Sequence, residues 1–194
     1  MKKLFIISND KIGRKAIHLL EQNKSNDLHV VIDKSSSLKR VFKLIIKGIM
    51  PLNLVVKMFF AELFRKDYSI INYSEIKTNK DLLRLIDEIN PAKIILFRAG
   101  LIINKKVIEK KIPLLNIHCA NVPEFGGLGS IQKAITHKAY NQNACLHHVT
   151  VKIDEGEVLA KEPYTLSPKR SYFANENIAY EAGIKLILRE LIRI

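Results

Sequence analysis

Cysteine is nearly missing from this 194-residue chain, which has only Cys119 and Cys145. Two thiols build no disulfide framework, and without a Cys-x-x-Cys pair there is no zinc-type spacing. Two reduced thiols in a cytoplasmic protein are expected, and no metal site. Long apolar runs are missing as well. The N-terminus, MKKLFIISNDKIGRK, starts with basic residues. Its apolar run, Leu4 to Ile7, is too short for a signal peptide, and no small-residue cleavage site follows. It reads as a first buried strand. The nearest approach to a membrane span is Leu38–Lys66, LKRVFKLIIKGIMPLNLVVKMFFAELFRK. Lys43, Lys47 and Lys57 interrupt it, Gly48 and Pro51 break it, and neither half reaches the roughly 20 apolar residues a span needs. Two amphipathic helices joined by a Gly-Ile-Met-Pro turn fit better. Their apolar faces pack on the sheet, meet a partner chain, or lie on an anionic membrane surface.

Acidic residues are also scarce: 19 against 32 lysines and arginines, a formal net charge of +13. That balance favours anionic partners such as nucleotides, phosphates, RNA or acidic membranes, or else a basic surface with no specific partner. No linker, repeat or low-complexity tract divides the chain. One domain over 1–194 is expected, with a basic helical insertion at about 38–66. The composition, 47% hydrophobic and 26% charged, is that of an ordinary globular protein.

What is present is an alternation of short apolar runs and helical patterns. Strands are predicted at Lys3–Ser8, Leu28–Asp33, Ser69–Tyr73, Ala92–Phe97 and Leu114–His118. Helices are predicted at Ile12–Gln22, Lys80–Ile89 and Lys105–Lys110. Two further strands, Ala144–Lys152 and Glu157–Pro163, and a closing helix at about Glu176–Arg193 follow. This is the pattern of an α/β domain with a mostly parallel sheet. Gly183 inside the last helix costs propensity and points to close packing. Ligands of such sheets sit beyond the carboxyl ends of the strands, so residues after Ser8, Phe97 and His118 are site candidates.

Two polar clusters stand out. Asn116-Ile117-His118 ends an apolar strand, and alternation places Asn116 and His118 on one face. The loop CANVPEFGGLGS follows, whose Gly126, Gly127 and Gly129 allow close backbone approach to a ligand. Asp154-Glu155-Gly156 is the second cluster, in a predicted hairpin turn. Acyl transfer to an amine needs a donor to the developing oxyanion, which a side-chain amide can supply. It also needs a base near neutral pH, for which histidine is suited, and a carboxylate to orient that base. Asn116, His118 and Asp154 have those chemical types. A plain turn and a structural histidine are the bland alternative.

Taken together, these motifs resemble the folate-dependent formyltransferase family. Asn116-Ile117-His118, then Val122-Pro123-Glu124-Phe125-Gly126-Gly127, matches its Asn-x-His and proline-glycine loop. His147 and Asp154-Glu155-Gly156 match its downstream His and Asp-x-Gly, and Gly100-Leu101-Ile102-Ile103-Asn104 its pre-motif stretch. The resemblance implies a Rossmann-like fold and transfer of a formyl group from 10-formyltetrahydrofolate to a primary amine. It implies that Asn116 donates to the formyl oxygen, that His118 is the acid/base and that Asp154 positions the histidine and a water. Gly100, Leu101, Ile102, Val107 and Thr150 would hold the donor, and Asn9, Pro123 and Gly127 the acceptor. The chain departs from the pattern at Ala120, Asn121, Val122, Gly126 and Val151–Ile153, all bordering the acceptor.

Within the family, the glycinamide ribonucleotide enzymes hold phosphate on a Gly-rich loop after the first strand. Ser8-Asn9-Asp10-Lys11-Ile12-Gly13 matches it poorly. The methionyl-tRNA enzymes carry a further C-terminal domain, which this chain does not continue into, so nucleic acid is not the expected partner. An anionic small molecule, an amino-sugar nucleotide, ranks first as acceptor. A formyltetrahydrofolate hydrolase and a non-catalytic docking module are the other readings, and the oligomeric state is left open.

Overall fold

The computed structural model describes residues 2–23, 27–36, 38–70 and 73–192. The elements, in chain order, are β1 (Lys3–Ser8), α1 (Lys11–Gln22), β2 (Leu28–Asp33), α2 (Leu38–Ile46), α3 (Leu52–Phe64), β3 (Ser74–Ile76) and α4 (Asn79–Ile89). There follow β4 (Lys93–Phe97), α5 (Lys105–Ile108), β5 (Leu114–His118), α6 (Ser130–Thr136), β6 (Asn141–His148), β7 (Val158–Thr165) and α7 (Tyr172–Ile192). Among the described residues, seven strands form one sheet in the order β3-β2-β1-β4-β5-β6-β7. The first four pairings are parallel and the last two antiparallel. The expected α/β fold with a mostly parallel sheet is the one observed.

Why the central strands read as unbroken apolar runs follows from their burial on both faces. Phe5 and Ile7 of β1, with Ile95 and Phe97 of β4 and Ile117 of β5, join Ile17 of α1 and Ile187 of α7 in one core. Their alternates Leu4, Ile6, Ile94, Leu96 and Leu114 join Leu82 and Ile86 of α4 and Val107 of α5 in a second core on the opposite face. Strand parity then fixes the direction of the polar pair. Asn116 and His118 share the face of Leu114, on the side of α4 and α5.

Helix ends are set by short polar side chains. Asp10 caps α1 by accepting from the Gly13 amide at 2.8 Å. Thr78 and Asp81 form a reciprocal capping box at the start of α4. Asn104 caps α5 through the Val107 amide at 3.1 Å. Gly183 has the packing reason expected of it. A Cβ there would lie 2.7 Å from Cys119 Sγ and 2.9 Å from Phe97 Cε2, so only glycine lets α7 approach the sheet this closely.

Several boundaries differ from expectation. The strand predicted at Ser69–Tyr73 is not formed by its described residues, and 71–72 lie outside the description. The strand is β3, which begins five residues later, at Ser74. Tyr73 hydrogen-bonds Glu21 of α1, and only Ser74–Ile76 reaches the register of β2. β6 begins at Asn141 and stops at His148, short of Lys152. The pairing with β5 carries on by one last bond, from the Val149 amide to the Leu114 carbonyl at 2.8 Å, and residues 150–157 then fold back over the sheet. β7 correspondingly runs from Val158 to Thr165. α7 begins a turn earlier than predicted, at Tyr172, because Asn175 and Glu176 are buried rather than solvated. Residue 193, the predicted helix end, lies outside the description. The insertion forms two helices, α2 and α3, as read.

Candidate active site

β5 delivers Asn116 and His118 on adjacent same-face positions, and β6 adds His147 directly opposite Asn116 in the antiparallel register. Asp154 comes from the fold-back loop. Two glycines make that approach possible. A Cβ on Gly156 would lie 1.8 Å from the His148 carbonyl oxygen, so the loop can cross the end of β6 only with glycine there. A Cβ on Gly126 would press within 3.1 Å of Asp154 Cβ. The departure from the family pattern at Gly126 therefore has a packing reason. Asp154 adopts a left-handed backbone at φ 54°, which Asp and Asn tolerate better than other residues with a Cβ.

The three residues named from sequence meet. Asn116 Nδ2 donates to Asp154 Oδ1 at 3.2 Å, and His118 Nδ1 lies 3.3 Å from Asp154 Oδ2. His147 Nε2 lies 3.4 Å from Asp154 Oδ1 and 3.2 Å from Asn116 Nδ2. The Gly127 amide donates to Asp154 Oδ2 at 2.8 Å. Asp154 is thus the hub of the cluster. Burial alone would raise its pKa, but hydrogen bonding to His147, the His118 charge and the Gly127 amide together hold it below the usual carboxylate range. Burial pushes the His118 imidazole below its ordinary value near 6.5, with the Asp154 carboxylate and the Phe125 carbonyl opposing and Lys133 reinforcing. A buried imidazole that is neutral at pH 7 and faces a carboxylate can accept a proton in a reaction.

His118 Nε2 lies 2.9 Å from the Phe125 carbonyl oxygen. Both ring nitrogens of His118 therefore face acceptors. Lys133 Nζ donates to the Gly126 carbonyl at 3.3 Å, which places an exposed cation beside the same loop. Asn121 latches that loop to β6 by accepting from the Asn143 backbone amide at 3.0 Å and its side-chain amide at 2.9 Å.

The remaining sequence candidates are distributed as follows. A Cβ on Gly100 would collide with Ser36 Oγ at 2.0 Å. The Leu101 amide donates to Asp33 Oδ2 at 2.8 Å, and the Ile102 carbonyl accepts from Asn79 at 2.9 Å. Leu101 and Val107 pack in one apolar cluster with Val149, the residue before Thr150. Ile102 remains exposed. Leu101, Val107 and Val149 thus belong to the core on the face of the sheet where Asn116 and His118 point. Thr150 Oγ1 donates to the Lys152 carbonyl at 2.9 Å. Asn9 accepts from Arg14 through its carbonyl at 3.1 Å and touches none of Asn116, His118 or Asp154. Pro123 follows a cis peptide and its carbonyl accepts from Gly126 at 3.2 Å. Gly127 supports Asp154 directly. Burial pushes the Cys119 thiol up to about 12, so this cysteine is no nucleophile.

Sequence reasoning left several residues out of the site. His147 was quoted as part of a motif but not placed in the catalytic set. Its position opposite Asn116 follows from the register of β6, which no local pattern reveals. Asp33, Lys133 and Asn121 carried no motif at all. Asp10 and Arg98 form a further cluster: Arg98 donates two bonds to Asp10 Oδ2, at 2.8 and 2.7 Å, and lies over the Tyr180 ring at 4.0 Å.

The model of the formyl transferase family matches residues 1–190, and the chain belongs to that family. A methionyl-tRNA formyltransferase from Rickettsia rickettsii is 26% identical over 117 residues, covering 60% of this chain and 39% of that protein. This chain thus spans well under half the length of that curated relative. Among solved structures, a phosphoribosylglycinamide formyltransferase from Streptococcus pneumoniae aligns over all of both chains with a TM-score of 0.64 and 17% identity. A Mycobacterium tuberculosis protein inferred to be a sugar N-formyltransferase aligns over 98% of this chain and 66% of its own, with a TM-score of 0.67 and 10% identity. At these identities the structures establish the shared fold.

Proposed function

We propose that this protein transfers a formyl group from 10-formyltetrahydrofolate to a primary amine on an anionic small molecule, with an amino-sugar nucleotide as the first candidate. The observation that carries this reading is the convergence of Asn116, His118 and Asp154 on one point under the β5–β6 junction, in a chain of the formyl transferase family.

The donor supplies an already activated formyl group, so no serine or cysteine nucleophile is required. Leu101 and Val149 are partly exposed members of the apolar cluster on the face of Asn116 and His118, and with Ile102 and the backbone around Gly100 and Thr150 they are the residues that would hold the donor's heteroaromatic ring. Asn116 Nδ2 is a side-chain amide donor of the kind that stabilises a developing oxyanion. His118, neutral at pH 7, takes the proton released by the attacking amine. Asp154 stabilises the imidazolium so formed and, through Oδ1, orients Asn116. For the amine to reach His118 Nε2 it displaces the Phe125 carbonyl, so the Pro123–Gly129 loop yields on substrate entry.

One feature favours an anionic acceptor, and another disfavours glycinamide ribonucleotide. Lys133 presents a cation beside the loop. The start of α1, where a helix N-terminus can hold a phosphate, is already filled by carboxylates: the Lys11 amide donates to Glu62 at 2.6 Å and the Gly13 amide to Asp10 at 2.8 Å. A phosphate there would have to displace both carboxylates from the helix amides.

The test is incubation with 10-formyltetrahydrofolate and a panel of amino-sugar nucleotides, glycinamide ribonucleotide, methionyl-tRNA and no acceptor. Formylation of an amino sugar supports the full reading. Formylation of glycinamide ribonucleotide or methionyl-tRNA keeps formyl transfer and overturns the sugar assignment. Formate release without an acceptor marks a hydrolase, and inertness with every substrate, with no donor binding, overturns the proposal.

A further inference from the structure

Helix α3 is apolar on two opposite sides, and only one of them is used. Leu54 and Ala61 are buried against the domain. Leu52, Val56, Phe59, Phe60, Leu63 and Phe64 fall at i, i+4, i+7, i+8, i+11 and i+12, which is a single helical stripe. Every one of the six is exposed, Phe59 by 64% and Phe64 by 73%. On α2, Phe42 and Ile46, one turn apart, are exposed by 64% and 69%. Single exposed apolar residues need no explanation, but a full stripe of this kind marks an interaction surface.

The charges around it identify the partner. Segment 38–66 contains Lys39, Arg40, Lys43, Lys47, Lys57, Arg65 and Lys66 against Glu62 alone. Glu62 is turned away from the stripe, where it accepts from the Lys11 amide and pairs with the buried Arg65 at 3.4 Å. Lys43, Lys47, Lys57 and Lys66 are exposed. A second copy of the chain docked on this stripe with twofold symmetry would bring two lysine-flanked faces together, with Glu62, the one carboxylate of each segment, already held by Lys11 and Arg65. An anionic bilayer instead takes up both the apolar stripe and the lysines that flank it. Among the described residues no helix is long and apolar enough to cross a membrane, so the geometry is that of a helix lying in the interface.

The helix is held firmly enough to act as a foot for the domain. Lys11 Nζ donates to the Leu63 and Arg65 carbonyls at 2.9 Å each, which ties down its C-terminal end. Lys57 Nζ reaches Gln132 of α6 at 3.4 Å. Leu54 packs so tightly on Gly129 that a Cβ there would lie 2.9 Å from its Cδ2. The stripe therefore rides on the helix that borders the Pro123–Gly129 loop.

We infer that α2 and α3 attach this protein peripherally to anionic membrane surfaces, with the α3 stripe entering the headgroup–acyl boundary and the lysines meeting lipid phosphates. The placement sets the Pro123–Gly129 loop close to the bilayer and does not depend on which amine is formylated.

The experiment is co-sedimentation of the full chain with phosphatidylcholine vesicles, with and without phosphatidylglycerol. The chain has no tryptophan, so Phe60→Trp supplies a sole reporter whose emission moves to the blue on insertion. Binding to the phosphatidylglycerol vesicles, a blue shift, and weakening by salt are expected, since exposed charges are screened over about 8 Å at physiological ionic strength. Each basic side chain near an anionic surface strengthens binding about fivefold, so Lys43→Glu, Lys47→Glu and Lys57→Glu together should weaken it by at least about 100-fold. The variant with Phe59, Phe60 and Phe64 all changed to Ser should lose the insertion. These side chains are exposed, and an unchanged melting curve would verify that the variant folds. Failure to bind the anionic vesicles overturns the inference, as does equal binding by the serine variant. Concentration-dependent dimerisation that the serine variant abolishes, without vesicle binding, would assign the stripe to a second copy instead.

Discussion

Replacing Asp154 by Asn separates the carboxylate's charge from its place in the fold. Asn tolerates the left-handed φ of 54° at this position, and its side-chain oxygen can still accept from the Gly127 amide. What is lost is the negative charge 3.3 Å from His118 Nδ1 and 3.4 Å from His147 Nε2. General acid–base participation contributes about 10²–10⁴-fold in rate. At about 1.4 kcal/mol per factor of ten, the variant should lose ~3–5 kcal/mol of transition-state stabilisation, read as kcat/KM. A second, independent readout is the sign of a pKa change. Burial lowers the His118 pKa, while Asp154 opposes that shift. Removing Asp154 therefore lowers it further. NMR titration of the His118 ring should show its midpoint moving to more acidic pH, and the acid limb of the kcat/KM profile should move the same way as the plateau falls. A midpoint that rises, or a rate within a few fold of wild type, would refute the assignment of Asp154 as partner of His118. The ring titration needs no acceptor substrate, so it tests the cluster even before the amine is known.

Asn116→Ala removes the amide donor and should lower kcat by about 10²–10³-fold while leaving donor binding, measured by calorimetry, close to wild type. Gly183→Ala places a methyl 2.7 Å from Cys119 Sγ; overpacking costs about 1–3 kcal/mol and helix propensity returns about 1, so thermal melting should show net destabilisation. Arg98→Met leaves Asp10 without its cation in a largely buried site and should cost about 3 kcal/mol in urea unfolding. Acid should destabilise the fold in two windows. The lowered His118 pKa favours folding above about 6.5, and this contribution is lost as pH falls through the folded value. The lowered Asp10 and Asp154 pKa values do the same below about 3.8. A melting temperature that rises on acidification from pH 7 to 5 would contradict the first window.

Much of the architecture was legible along the chain. The apolar runs of β1 and β4 are continuous because both faces of a parallel sheet are covered, and that burial is written directly into the residues. The Asn116–Ile117–His118 parity needed nothing more than strand alternation. The family resemblance, resting on short motifs spread over the second half of the chain, pointed to the same three residues.

What the sequence could not contain was distance. Asp154 is 36 positions from His118 and sits in a loop that leaves the ladder after Val149, an outcome that depends on Gly156 passing against the His148 carbonyl. His147 joined the cluster through the antiparallel register of β5 and β6, and a slip of one residue would have turned it to the other face. The occupied N-terminus of α1 depends on Glu62, a residue from a helix some fifty positions away. The α3 stripe makes the same point in reverse. The sequence reads as an amphipathic helix whose apolar face could meet the sheet, a partner or a membrane. Only the packing of Leu54 and Ala61 showed which side the domain uses and which it leaves to solvent. Local side-chain chemistry fixed the candidates and the strands that carry them. Contacts between residues far apart in the chain decided which of them meet.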